Sequence, residues 1–325
     1  MQSWWMTVVD GKPELERREM TSPEPGPQEL LVRVEAASLN RGEFIAGVGL
    51  HGNAPRRPAG IDAAGVVTAL GAEVSGFAIG DRVMGRAIGG FSDLARMHHA
   101  EALFVPDALD AVHAAAFPLV FNVTFDMLVA RGHLQAGETL LVTGASSGVG
   151  VACVQLGHAL GARVIGTSGS AAKLERLRAL GLDAGIVTRA ADFAPQVREL
   201  SGGHGADLVI DTVGGSIFAQ CMQACAFEGR VAMVGYVDRV LEARIDLGLL
   251  HEQRLDLFGV SNKLRTARQR AETVRRVAAE LLPLVARGSI VPLVDRVFPM
   301  SALPDAVAHL QSDTQIGKVV LRNDG

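Results

Sequence analysis

Up to about residue 120 the chain places its apolar positions in short runs. LLVRVEA (30–36) and GVVTAL (65–70) have strand length, and turn-rich clusters such as SPEPGP and GNAPRRP separate runs of this kind. Short apolar runs between turn residues predict β-strands in a barrel-like or sandwich domain. After residue 137 the pattern changes. TLLVT (139–143) reads as a buried strand, followed by a Gly-rich turn and the helix-like VACVQLGHALG. ARVIGT (162–167), the helical AAKLERLRALG, GIV (185–187), ADLVID (206–211) and GRVAMVGY (229–236) continue the alternation. Strands separated by helices of roughly 10–15 residues imply βαβ units and a doubly wound parallel sheet, an α/β fold with both sheet faces covered. From about 265, RTARQRAETVRRVAAELLPLVARG predicts one long amphipathic helix, and PLVDRVF and KVVLR return to the strand grammar of the first domain. The expected organisation is a nucleotide-type domain over 122–261, inserted into a β-rich domain formed by 1–121 and 262–325.

At 325 residues, with 48% hydrophobic positions, the chain is long enough for a substantial core. A formal net charge of −4 offers no basic excess to attract nucleic acid. Gly or a charge interrupts every apolar stretch well before the ~20 residues of a membrane span. MQSWWMTVVDGKP has no basic segment followed by an apolar run, so no signal peptide is expected, and the expected location is the cytoplasm. Cys153, Cys221 and Cys225 suit a reducing compartment better than a disulfide framework. Cys221 and Cys225 are four apart, a spacing at which one helix presents both as core thiols.

The first chemical signal is GASSGVG (144–150), between an expected strand and an expected helix. In that setting glycines let the backbone turn tightly and approach a pyrophosphate, while the helix N-terminus supplies free N–H groups. The match to G-x-G-x-x-G is partial, with Ala145 and Ser147 at the first two glycine positions and Gly150 at the third. A plain structural turn is the alternative. VTGASSGVG alone also resembles the loop of short-chain dehydrogenases, which work with a Tyr and a Lys four residues later. The single tyrosine of this chain is Tyr236 and position 240 is Val, so that reading fails.

Taken end to end, the sequence resembles a medium-chain dehydrogenase/reductase of the zinc-free quinone oxidoreductase branch. PEPGPQELLVRVEAASLNRGEF (23–44) is similar to the first strands and the Asn-bearing loop of that branch, and GIDAAGVVTALGAEVSGFAIGDRV (60–83) to its G-x-[DE]-x-x-G-x₅-G-x-x-V pattern. GGFSDL (89–94) and FNVTFDML (121–128) resemble two further family segments. The resemblance implies a Rossmann-type sheet inserted into a GroES-like catalytic domain. It also locates what is missing. Alcohol-oxidising members hold a catalytic zinc on a Cys, a His and a third ligand, commonly Cys. Here the first position is Asn40, the second is Ile61, and residues 142–144 bring no thiol. The four-cysteine lobe expected after GGFSDLARMHHA is absent, and His98 and His99, adjacent on a strand, are expected on opposite faces. No metal is expected.

Without zinc to polarise an alcohol oxygen, hydride transfer favours acceptors that are already electrophilic. The resemblance therefore implies NADPH-dependent reduction of a quinone or an α,β-unsaturated carbonyl compound, with a small molecule as partner. Two other readings stay open: an enoyl-thioester reductase of polyketide or fatty-acid type, and an NADPH-binding protein of low turnover. Asn40 stands where the branch donates a hydrogen bond to the acceptor carbonyl; capping its loop is the other role. Asp62 is either a catalytic or a buried structural carboxylate. Glu43 replaces the usual Asp, and Ile45 stands near the position of a Tyr found in many relatives. Tyr236 touches either nicotinamide and substrate or only its packing neighbours.

The expected cofactor set comprises Thr124, Ala145, Ser146, Ser147, Gly148, Val149, Ser168, Gly169, Lys173, Arg189, Val213, Gly235 and Tyr236. The second Rossmann strand runs into Thr167, Ser168, Gly169 and Ser170 with no carboxylate before Glu175, which removes the group that repels a 2′-phosphate. Lys173 and Gly169 match the family's NADPH pattern, and Arg189 is a second candidate cation. LDLFGVS (255–261), an apolar strand at the expected sheet edge, suits the homodimer that the resemblance implies.

Overall fold

The computed structural model describes residues 1–9, 12–45 and 56–323. It divides into two compact units, Met1–Asn122 with Arg265–Gly325, and Val123–Leu264.

The first unit carries β1 (Gln2–Val9), β2 (Lys12–Glu19), β3 (Glu29–Ser38), β4 (Arg56–Pro58), β5 (Asp62–Leu70), β6 (Arg82–Ile88) and β7 (Leu94–Phe104). Of GNAPRRP, residues 52–55 lie outside the described residues, and Arg56–Pro58 pair with β1. β3, β5, β6 and β7 follow one another in an antiparallel sheet, and β3 also pairs with β7, which curls the sheet into a barrel. Alternation explains the core. Along β3, Leu30, Val32 and Val34 are buried while Arg33 is exposed, and Ala63, Val67, Val83 and Met97 meet them. This is the GroES-like unit.

The second unit carries β8 (Thr139–Val142), β9 (Arg163–Ser168), β10 (Ala184–Val187), β11 (Ala206–Asp211), β12 (Cys225–Met233) and β13 (Asp256–Gly259). All pair in parallel, in the order β10-β9-β8-β11-β12-β13. That is the doubly wound Rossmann order, with the topological switch between β8 and β11. Every residue of β8 is buried, because helices cover both faces of a parallel sheet. β13 is the outer strand on one side.

The chain then returns to the first unit. β14 (Val294–Pro299) and β15 (Lys318–Arg322) extend its sheet, β15 pairing antiparallel with β3 at Val320 and Ser38. Val319 and Leu321 join the same core as Leu30 and Val32. The Rossmann sheet is thus inserted into the β-rich unit.

Four local expectations need correction. The single helix over 265–288 is two helices, Ala267–Glu280 and Leu282–Ala286, with Pro283 in the first turn of the second, where its missing N–H costs least. Cys221 and Cys225 do not share a helix: the helix Phe218–Ala224 ends before Cys225, which opens β12, although both thiols are buried. β12 itself spans Cys225–Met233 rather than 229–236. The rings of His98 and His99 stack with centroids 5.3 Å apart instead of diverging. Strict alternation fails there because the β6–β7 register shifts between Gly85 and Ala87.

Candidate functional site

In the Rossmann unit the expected cofactor residues other than Thr124, which lies on the helix Pro118–Phe125, follow the carboxyl ends of parallel strands. The turn after β8 holds Ala145, Ser146 and Ser147, and the helix Gly148–Ala159 starts there with Ser147 as its cap, accepting from the Gly150 amide at 3.0 Å. Gly144 takes φ +60°, which a side chain resists, and a Cβ on it would stand 2.6 Å from Thr212 Oγ1. A Cβ on Gly150 would stand 2.5 Å from the Gly144 carbonyl. Two of the three glycines therefore have steric reasons, and together they let the backbone turn pack closely against the helix start.

Next to this turn, Ser168 ends β9, with its hydroxyl 3.3 Å from that of Ser146. Ser168 pairs with Val187 of β10, so Gly169 and Arg189 leave the sheet side by side. The Arg189 side chain lies over Gly169: a Cβ on Gly169 would collide with it, with the stem carbon Cγ at 2.7 Å and the guanidinium carbon Cζ at 2.8 Å. Arg189 is exposed and forms no ion pair with a carboxylate among the described residues. Lys173 lies in the first turn of the helix Ala171–Arg178, its amide bonded to Ser170 Oγ at 3.4 Å.

Beyond the switch point, the Val213 amide donates to Asp211 Oδ1 at 2.8 Å, and a Cβ on Gly235 would stand 2.8 Å from the Thr212 carbonyl. Asp211 is wholly buried; its Oδ2 has no hydrogen-bond partner among the described residues, and burial lifts its pKa to about 6. Thr124 is wholly buried, with Oγ1 3.7 Å from Cys153 Sγ. Burial pushes that thiol up to about 12, which leaves it unreactive. Tyr236, 37% exposed, lines an apolar groove with Phe218, Met233, Leu241, Leu257 and Phe258.

In the GroES-like unit, Asn40 and Asp62 belong to one buried cluster. Asn40 Nδ2 donates to Asp62 Oδ2 at 2.9 Å and to Glu43 Oε1 at 3.1 Å. Both of its amide protons are thus turned inward. Its Oδ1 accepts from Lys318 Nζ, which also donates to the Leu39 carbonyl at 2.8 Å and stands 3.8 Å from Asp62 Oδ2. The other Asp62 oxygen accepts from the Leu119 amide at 3.2 Å, and Ser38 Oγ is 3.4 Å from Oδ2. Burial raises Asp62 to about 6 against the opposing pull of Lys318 and Asn40, and burial lowers Lys318. Desolvation outweighs the mutual attraction in both partners.

The sequence reading missed Lys318. A lysine at the start of KVVLR looks like a solvated charge, and only the pairing of β15 with β3 brings it beside Asn40 and Asp62. The cluster does not suit zinc. Ile61 brings no donor atom, the Asn40 oxygen is taken by an ammonium, and a dication beside Asp62 would meet the charge of Lys318. Among the described residues no group of three or more His, Cys, Asp or Glu side chains is placed to hold a metal ion. Nor, among them, is any helix long and apolar enough to cross a membrane.

Comparison with known proteins follows the same division. Residues 26–107 match the alcohol dehydrogenase GroES-like domain, and residues 148–279 match the family described as zinc-binding dehydrogenase. The synaptic vesicle membrane protein VAT-1 homolog of Homo sapiens is 31% identical over 95% of this chain and 83% of its own length. Erythronolide synthase EryA2 of Saccharopolyspora erythraea is 31% identical over 90% of this chain, which spans only 8% of that protein. Escherichia coli quinone oxidoreductase, solved in complex with NADPH, superposes with a TM-score of 0.88 at 26% identity, over 99% of this chain and 100% of that one. With the strand order, the glycine turn and these matches together, the chain belongs to the medium-chain dehydrogenase/reductase family of oxidoreductases, in its quinone oxidoreductase branch.

Proposed function

We propose that this protein reduces quinones or α,β-unsaturated carbonyl compounds with NADPH, by hydride transfer and without a metal. The observation that carries the reading is the pairing of Gly169 with Arg189, at the end of a strand that lacks a carboxylate. A cation held beside Ser168, with Lys173 on the following helix, suits the 2′-phosphate that distinguishes NADPH. Ser146, Ser147 and the free amides of Gly148 and Val149 would hold the pyrophosphate, next to Ala145. Thr124, Val213, Gly235 and Tyr236 belong to the nicotinamide end. NADPH, when bound, supplies the hydride. The protein's part is to orient the acceptor, exclude water and place charge. Asn40 and Asp62 serve by shaping the loop after β3, since their polar atoms are engaged with each other and with Glu43 and Lys318.

The test is NADPH oxidation by purified protein against quinones, enones and enoyl thioesters, with and without a chelator. Turnover of quinones or enones that chelator leaves intact supports the proposal. Selective saturation of crotonyl thioesters would favour the polyketide-type reaction, in keeping with the similarity to erythronolide synthase. Tight NADPH binding with no turnover at all would favour a binding protein. One firmly held zinc per chain, needed for turnover, would overturn the metal-free mechanism.

A homodimer is proposed on separate grounds. β13 is the outer strand of its sheet, and the nearby segment exposes Leu241 (57%) and Leu247 (71%). An open strand edge beside exposed apolar side chains suits pairing with a second copy. Light scattering at micromolar concentration is expected to give the mass of two chains; a monomer would contradict it.

A further inference from the structure

Lys318 opens β15 and is 4% exposed, an unusual setting for an ammonium, which is strongly hydrated and normally reaches water. Its neighbours account for its donors. Nζ bonds to the Leu39 carbonyl at 2.8 Å and to Asn40 Oδ1, and Asp62 Oδ2 lies 3.8 Å away. The consequence falls on Asn40. With Lys318 on its oxygen and two carboxylates, Asp62 and Glu43, on its nitrogen, the amide has one orientation. A flipped amide would set NH₂ against the ammonium and oxygen against the carboxylates.

We infer that Lys318 is a positioning residue for acceptor reduction: from the last strand of the chain it fixes the Asn40 side chain and the backbone running from Leu39 to Phe44. The inference rests on the proposed function, which gives this loop its place in the reaction. Stability alone does not explain the arrangement, because well-packed apolar side chains of similar volume commonly replace a buried ion pair without loss of stability. What an apolar pair would not supply is a donor for both Asn40 Oδ1 and the Leu39 carbonyl. The charge pair supplies orientation.

The test separates orientation from folding with Lys318→Met/Asp62→Asn, which removes both charges, and with Lys318→Met alone, which removes both donors. Melting temperature, NADPH dissociation constant, and kcat and KM for menadione are measured for each. The folded variants are expected to hold NADPH within about twofold of wild type, since its residues lie in the other unit, while kcat falls on the order of 10- to 100-fold. A folded variant that keeps wild-type kcat overturns the inference and leaves the proposed function standing. If wild type reduces no quinone, enone or enoyl thioester, the proposed function fails instead. The Asn40 side-chain amide, assigned by NMR through its loss in Asn40→Ala, then decides the positioning role. Its protons are expected to be protected from solvent exchange in wild type and to exchange at least about tenfold faster in the variants. Equal exchange would overturn the inference.

Discussion

Arg189→Ala is expected to weaken NADPH binding by about 10- to 150-fold while changing NADH binding little. The guanidinium lies over Gly169 at the point where β9 and β10 end side by side. A charge-assisted hydrogen bond to phosphate contributes roughly 1.5–3 kcal/mol, which sets that range. Lys173→Ala, on the first turn of the next helix, is expected to act in the same direction. Gly169→Ala supplies a geometric control. Its Cβ would collide with the Arg189 side chain, so the guanidinium must move, and the preference for NADPH over NADH should narrow with both cations still present. Fluorescence titration of both cofactors against each variant makes the comparison. Equal weakening of NADH and NADPH would mean that these residues support the fold of the site and do not read the phosphate.

Asp62→Ala is expected to destabilise the folded protein by about 3–5 kcal/mol, because it leaves the buried ammonium of Lys318 without its carboxylate. The loss also depends on pH. Burial holds the Asp62 pKa at about 6, above its ordinary 3.8, so the native state binds this proton more tightly than the unfolded chain does. The contribution of the carboxyl group to stability is fully present below about pH 4 and is lost as pH rises through about 6. The depressed Lys318 works in the same sense, since a lysine whose pKa falls on folding loses stability as pH falls, and the variant keeps only the weaker pull of Glu43 to offset this. The cost of Asp62→Ala should therefore be larger at pH 5 than at pH 8. Urea unfolding at the two pH values checks both magnitude and sign. A cost under about 1 kcal/mol, or one larger at pH 8, would show that the pair is not coupled as described.

The Rossmann unit was legible because its strands read as unbroken apolar runs. TLLV is buried at every position, and a parallel sheet covered on both faces demands that pattern. The glycine turn was legible for a local reason, as Gly144 and Gly150 have their roles within a few residues of each other. Features that depend on register were not. Arg189 reaches Gly169 only because Val187 pairs with Ser168, and no spacing along the chain encodes that. Lys318 reaches Asn40 across almost the whole sequence, through the pairing of the last strand with the third. The inward turn of the Asn40 amide was not legible either, because its acceptors, Asp62 and Glu43, come from another strand and from the loop itself. The break before Pro283 was readable, since a proline inside an amphipathic run ends or kinks a helix.

NADPH oxidation in the presence of a quinone and excess chelator tests the central claim most directly. The account predicts steady turnover that chelator does not reduce, a clear preference for NADPH over NADH, and loss of that preference in Arg189→Ala. Turnover that stops on chelation and returns with added zinc, or equal use of NADH and NADPH by wild type, would contradict it.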